Sequence, residues 1–187
     1  MAGSITWLGK ITAGGSSSSV EFTSISQSYN HLIIVGAYRG DSTSSSIINN
    51  YDMEWTAAGI VTGNNYGSTI WGNYGTIGTD PTADNKWQVY GDRWIGTLRC
   101  ARSYNSAANM MSIHMEIFNY ASTSSDEKKW TRTLIGTIQT GSDDQLVKRI
   151  SDVAIDDAAF DSFKFQLPDA SNFVSGSYWN LYGVAAS

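Results

Sequence analysis

The sequence predicts an all-β fold: a single-domain antiparallel β-sandwich, with a jelly roll as its expected topology. Three observations carry this. Apolar and polar residues alternate with a period of two in one segment after another, as half-buried strands do. Ser-, Gly- and Asn-rich stretches break these segments at short intervals, as turns between strands do. No segment carries an apolar stripe at helical spacing over three turns, and an α/β fold would need such helices between its strands.

In chain order, Ile5, Trp7, Gly9 and Ile11 share one face of a first strand, with Thr6 and Lys10 on the other. Gly14, Gly15 and the serines up to Ser19 make a turn, and Val20 and Phe22 begin a second strand. The segment from His31 to Tyr38 is apolar on both faces, which predicts a central strand covered on both sides. His31, at its mouth, is expected to be a hydrogen-bonded structural histidine. Asp41 to Asn50 reads as a Ser-rich loop, and Tyr51 to Trp55 as another strand.

Ala57 to Asp92 is crowded with Gly, Asn, Tyr and Trp and holds Pro81. It is expected to be an elaborated loop region with short strands around Ser68–Trp71 and Trp87–Tyr90. Gly72, Gly75 and Gly78 recur every third residue, too few for a collagen repeat and wrongly spaced for a phosphate loop.

Regular alternation then resumes. Trp94, Gly96, Leu98 and Cys100 oppose Ile95, Thr97 and Arg99. Met111, Ile113, Met115 and Ile117 oppose Ser112, His114, Glu116 and Phe118. Trp130, Arg132, Leu134 and Ile138 oppose Thr131, Thr133, Thr137 and Gln139. Asp156 to Phe160 leaves room for a helical turn. Phe163, Phe165 and Leu167 oppose Ser162, Lys164 and Gln166, and the last strand spans Tyr178 to Val184. The total is about nine to eleven short strands, with no domain boundary between residues 1 and 187.

Composition narrows the function. Hydrophobic residues are 41% and aromatics 12%, enough for a sizeable core. Charged residues are 16%, well below the ~25% usual in globular proteins. A polar but weakly charged surface suits a shell-like or extracellular β protein better than a metabolic enzyme. The net charge is −5, and the longest basic clusters are the pairs Lys128–Lys129 and Lys148–Arg149. Displacing counterions from phosphate needs clustered cations, so neither nucleic acid nor an anionic membrane is an expected partner. The start, from Met1 to Lys10, lacks the charged and apolar regions of a signal peptide. No apolar run is long enough to cross a bilayer as a helix. The single cysteine, Cys100, permits no intrachain disulfide and reads as a small buried residue. Synthesis in a cytosol is therefore expected.

The chemistry-bearing residue types form no catalytic pattern. There is no Gly-x-Ser-x-Gly elbow, dinucleotide loop or Walker sequence. His114 and Glu116 face the same side of one strand, but a zinc site needs three or four ligands and His31 is the only other histidine. Asp143, Asp144, Asp152, Asp156, Asp157 and Asp161 crowd one region without an Asp-x-Asp-x-Asp-Gly calcium pattern, so a solvated acidic rim is expected. The glutamates Glu21, Glu54, Glu116 and Glu127 offer no pair to single out as a glycosidase acid and base. The expectation is no enzyme, no metal and no cofactor.

Tyr66, Trp71, Tyr74, Trp87 and Tyr90 lie in the Gly/Asn-rich region. They are the candidate interaction surface, because aromatics beside Gly, Ser and Asn suit adaptable recognition and can stack on sugars. Folding inward to cap the sandwich is the equally open alternative.

The chain's end carries a likeness. Asn172-Phe-Val-Ser-Gly-Ser-Tyr-Trp-Asn-Leu-Tyr-Gly-Val184 resembles the Asn-Phe-x-x-Gly-Ser…Ser-Leu-Tyr-Gly-Ile ending of tailed-phage virion proteins, especially those of marine and cyanobacterial phages. The segment from Phe22 to Arg39 resembles their Phe-x-x-Ile-Pro-x-x-Tyr-x-x-Leu…Arg opening, and Ile117-Phe-Asn-Tyr120 their Ile-x-Asn-Tyr strand. Ser26 stands where Pro is usual and Asn180 where Ser is usual, and residues 57–92 match loosely. The resemblance implies a virion structural protein without catalytic residues. A capsid decoration or cement protein is the first expectation, bound to the major capsid protein or another virion protein. A receptor- or glycan-binding module on a tail appendage is the second. A homo-oligomer is expected, with a trimer suggested by analogy to shell jelly rolls. The Leu181-Tyr182-Gly183 motif itself is expected to close the fold: Leu181 in the core, Tyr182 anchored by its hydroxyl, and Gly183 allowing close backbone approach.

Overall fold

The computed structural model describes residues 3–41, 52–57, 66–76, 82–83, 86–90, 96–99, 110–124, 126–127, 129–138, 144–154, 159–167 and 171–185. Within 52–99, at 137–138 and over 144–154 the description is of backbone and register alone. The described residues are all-β, with no helix among them. The strands are β1 (Ile5–Thr12), β2 (Ser19–Phe22), β3 (His31–Tyr38), β4 (Asp52–Ala57), β5 (Tyr66–Thr76), β6 (Thr82–Ala83) and β7 (Lys86–Tyr90). They continue with β8 (Gly96–Arg99), β9 (Met111–Phe118), β10 (Lys129–Ile138), β11 (Asp144–Ala154), β12 (Phe163–Gln166) and β13 (Tyr178–Val184).

The strands form two antiparallel sheets that pack face to face. The large sheet runs β1-β13-β3-β9-β10-β11-β5-β6, with β7 also pairing β5, and the small one runs β2-β12-β4-β8. The antiparallel β-sandwich predicted from the alternation is therefore present. A jelly roll shares eight strands between two Greek keys; a division into nine and four does not establish that topology. The residues expected to form an elaborated loop region supply β5, β6 and β7, of which β5 is eleven residues long and spans the expected strand at Ser68–Trp71. The possible helical turn at Asp156–Phe160 falls largely outside the described residues.

The core lies between the sheets. Leu32, Ile34 and Tyr38 of β3 and Met111, Ile113, Met115 and Ile117 of β9 point into it from the large sheet. Val20, Phe22, Phe163 and Phe165 meet them from the small one. Trp179 of β13 is the hub: it stacks on Tyr38 at 5.9 Å and meets Phe173 edge-on at 4.8 Å. Such aromatic pairs add about 0.5–1.5 kcal/mol each beyond the area they bury.

Three local expectations are corrected. First, Ile5, Trp7, Gly9 and Ile11 do not share a face. The β1–β13 register shifts between Trp7 and Gly9, and a bulge of one residue reverses the side to which later residues point. Ile11 packs against the core, whereas Ile5 and Trp7 stand in solvent. Second, β3 is not covered on both sides. The small sheet covers one face, and Val35 on the other is 39% exposed. Third, Gly183 is approached by a ring rather than by backbone: a Cβ there would stand 2.5 Å from Tyr29 Cγ.

Strand β10 inverts the usual burial. Thr131, Thr133 and Ile135 face inward, leaving Trp130, Arg132 and Leu134 outside. Its register against β9 sets Thr131 beside Ile117, Thr133 beside Met115 and Ile135 beside Ile113. Slipping by one residue would bury Arg132, at a cost of several kcal/mol for an unpaired ion. The gain from Trp130 and Leu134 would be about 1.5–3 kcal/mol for each fully buried side chain. The slip would also break the Arg132–Glu116 ion pair.

Residues that carry the terminal likeness do structural work. Phe173 and Leu181 are buried. The Asn172 amide donates to Asp41 Oδ2 at 3.1 Å and its backbone N–H to Oδ1 at 2.8 Å, tying the two segments together. Gly176 turns the chain into β13 at φ 88°, a left-handed conformation that glycine adopts without penalty.

Candidate interaction surface

The feature that stands out among the described residues is the outer face of the large sheet. Ile5 is 65% exposed, Trp7 59%, Leu134 51% and Trp130 37%, all on the side away from the small sheet. The outer face of an antiparallel sheet is usually polar. A contiguous apolar stretch there marks a contact surface.

Hydrogen-bonded register builds this surface in rows. One row joins Val184, His31, Phe118 and Trp130. The next joins Trp7, Tyr182, Ile33, Glu116 and Arg132. Tyr182, expected to anchor the terminal strand through its hydroxyl, lies half-buried in this outward row.

The rows are held rigid by specific contacts. Phe118 and Trp130 stack at 3.8 Å with an interplanar angle of 8°. The His31 ring tilts against Phe118 at 5.2 Å, and its Nδ1 accepts the Asn119 backbone N–H at 3.2 Å, the structural role expected of it. That bond requires Nδ1 to be unprotonated. Lys10 places its ammonium 5.0 Å from the Tyr178 ring centroid on the same side, a cation–π contact.

His114 and Glu116 do share this face, as their spacing predicts. Glu116 is engaged by the Arg132 guanidinium, and His114 stands exposed beside Leu134 in register. Among the described residues no three His, Cys, Asp or Glu side chains group to hold a metal. Of the acidic segment, Asp161 is exposed and Asp144 and Asp152 lie on β11. Asp143, Asp156 and Asp157 lie outside the described residues, as does Cys100, just beyond the end of β8. Burial raises the Tyr120 hydroxyl above its ordinary pKa of 10.0, but this group donates to the Ser26 carbonyl inside the fold and does not face the surface.

The five aromatics singled out in the sequence sit on β5 and β7. Tyr66 pairs with Tyr90, and Trp87 with Thr69. Tyr74 stands opposite Leu146 and Trp71 opposite Arg149 in the β5–β11 register. The described exposed residues Trp7, Val35, Trp130 and Leu134 were not singled out by sequence. For Val35 the signal was the apolar character of both faces of β3.

No protein family, curated protein or solved structure matches the chain. The fold and its surface define the class: an antiparallel β-sandwich whose large sheet turns an aromatic, apolar face outward. No helix among the described residues is long and apolar enough to cross a membrane.

Proposed function

We propose that this protein is a structural component of a tailed-phage virion, a capsid decoration or cement protein that adds cohesion to the head. The observation that carries this reading is the outer face of the large sheet, with Trp7 and Leu134 more than half exposed. Such a surface suits apolar contact between protein subunits, enriched in aromatics and held at the centre by a paired charge. The likeness of the chain's end and opening to virion proteins points the same way. Work of this kind needs no catalytic group: contacts across subunit junctions oppose the pressure of packaged DNA. Its partners are then the major capsid protein or another virion protein and further copies of itself, and its location the virion. The test is to heat particles that lack the protein, or dilute them into low salt, beside complete ones. Earlier DNA loss from the deficient particles is expected, and equal retention would sink the cement role.

A tail-appendage receptor- or glycan-binding module is the second reading. It is favoured by the placement of Trp71 and Trp87 on the paired strands β5 and β7. Specific glycan or host-cell binding, lost in Trp71→Ala or Trp87→Ala without unfolding, would put it first.

A further inference from the structure

We infer that the outer face of the large sheet is a two-fold self-association surface whose occupant is a second copy of this chain. The inference concerns the surface alone and stands whether or not the protein belongs to a virion.

The argument starts from symmetry. One row of the hydrogen-bonded register runs from Trp7 on β1 to Trp87 on β7. It crosses eight strands, and Glu116 on β9 and Arg132 on β10 stand at its midpoint.

An isologous dimer sets the same patch of each subunit on the other. Two sheets stacked face to face by a two-fold require an axis in the plane between them. An axis across the strands through this row sets Glu116 on Glu116 and Arg132 on Arg132, which is repulsive. An axis along the strands, between β9 and β10, exchanges those two strands. Glu116 then faces Arg132 of the second copy, and Phe118 faces Trp130 of the second copy, because each pair shares a row. Charge complementarity selects this axis.

Each member of the central ion pair then meets an opposite charge of the second copy. Arg132 is 46% exposed beside Glu116 at 17%, so its guanidinium still has room for a carboxylate from above. The four charges alternate around the axis. A lipid surface would instead force the ion pair into hydrocarbon without that compensation.

The area is sufficient. Seven neighbouring strands from β1 to β5, spaced about 4.8 Å apart and with four outward positions each about 6.8 Å apart, give roughly 900 Å². A stable interface needs about 800 Å² per partner. Sheets with native twist pack face to face at about −30°, so the closest contact falls at the axis, where the ion pairs and the Phe118–Trp130 stacks lie.

The test is sedimentation of the purified full chain over a concentration series, with charge reversals. The wild-type chain is expected to form a dimer. The Glu116→Arg chain carries two cations at the axis and the Arg132→Glu chain two anions. Each alone is expected to dimerise at least about tenfold more weakly, and their mixture to recover a one-to-one heterodimer. Leu134→Glu, at a position 51% exposed, provides a second disruption if either reversal fails to fold by circular dichroism. A wild-type monomer or trimer, full dimerisation of the Leu134→Glu chain, or a mixture of folded reversal chains that stays monomeric would each overturn the proposal.

Discussion

Trp179 of β13 and Phe165 of β12 stack across the two sheets, with ring centroids 5.8 Å apart and planes at 22°. Both are fully buried, so this contact joins the large sheet to the small one. Truncating a buried aromatic removes its transfer free energy and leaves a cavity. Phe165→Ala is expected to destabilise the fold by about 3–5 kcal/mol, measured by urea unfolding. A loss below about 1 kcal/mol would show that the sheets do not depend on this stack.

The approach of Tyr29 to Gly183 yields a pairwise prediction. A Cβ at 183 would stand 2.5–2.7 Å from three Tyr29 ring atoms. Gly183→Ala is expected to cost about 1–3 kcal/mol through overpacking. Adding Tyr29→Ala removes the obstructing ring, so the double variant should be more stable than the sum of the two losses predicts. Strict additivity in a double-mutant cycle would place the strain elsewhere.

Tyr120 links stability to alkaline pH. Burial raises its pKa above 10.0 in the folded state, so the folded chain keeps a proton that the unfolded chain releases. The stabilisation from this group is fully present below about pH 10 and is lost as pH rises through the raised value. Tyr120→Phe also loses the hydroxyl that donates to the Ser26 carbonyl, at about 1–3 kcal/mol if that carbonyl is left unpaired. Unfolding followed from pH 8 to 11 should show the wild-type advantage shrinking at the alkaline end. A constant difference between the two chains would contradict the linkage.

The outer face should be dispensable for folding and needed for association. Trp7 is 59% exposed, so Trp7→Thr, which keeps a strand-favouring residue, is expected to change stability by no more than about 1 kcal/mol. The same variant should bind less well to particles stripped of the native protein in a co-sedimentation assay. Undiminished binding would remove Trp7 from the contact.

Much of this protein was settled by local pattern. The alternation of Met111, Ile113, Met115 and Ile117 with polar residues specifies both the strand and its buried face, because one side must leave water. The Tyr178–Val184 strand and the buried Phe163 and Phe165 follow for the same reason. Tertiary structure alone decided the rest. The bulge after Trp7 reverses the first strand's faces, and it exists only because β1 pairs with β13 at the far end of the chain. Strand β3 looks buried on both sides in sequence, yet the small sheet covers only one. Strand β10 turns its threonines inward because register with β9 and the Arg132–Glu116 pair outweigh local hydropathy. The Gly-rich segment yielded strands at Ser68–Trp71 and Trp87–Tyr90 but hid the eleven-residue length of β5 and the short β6, since backbone pairing with β11 and within the segment leaves little alternation to read. Periodicity reports how a strand divides its own residues; which side meets another sheet and which meets solvent depends on partners distant in the chain.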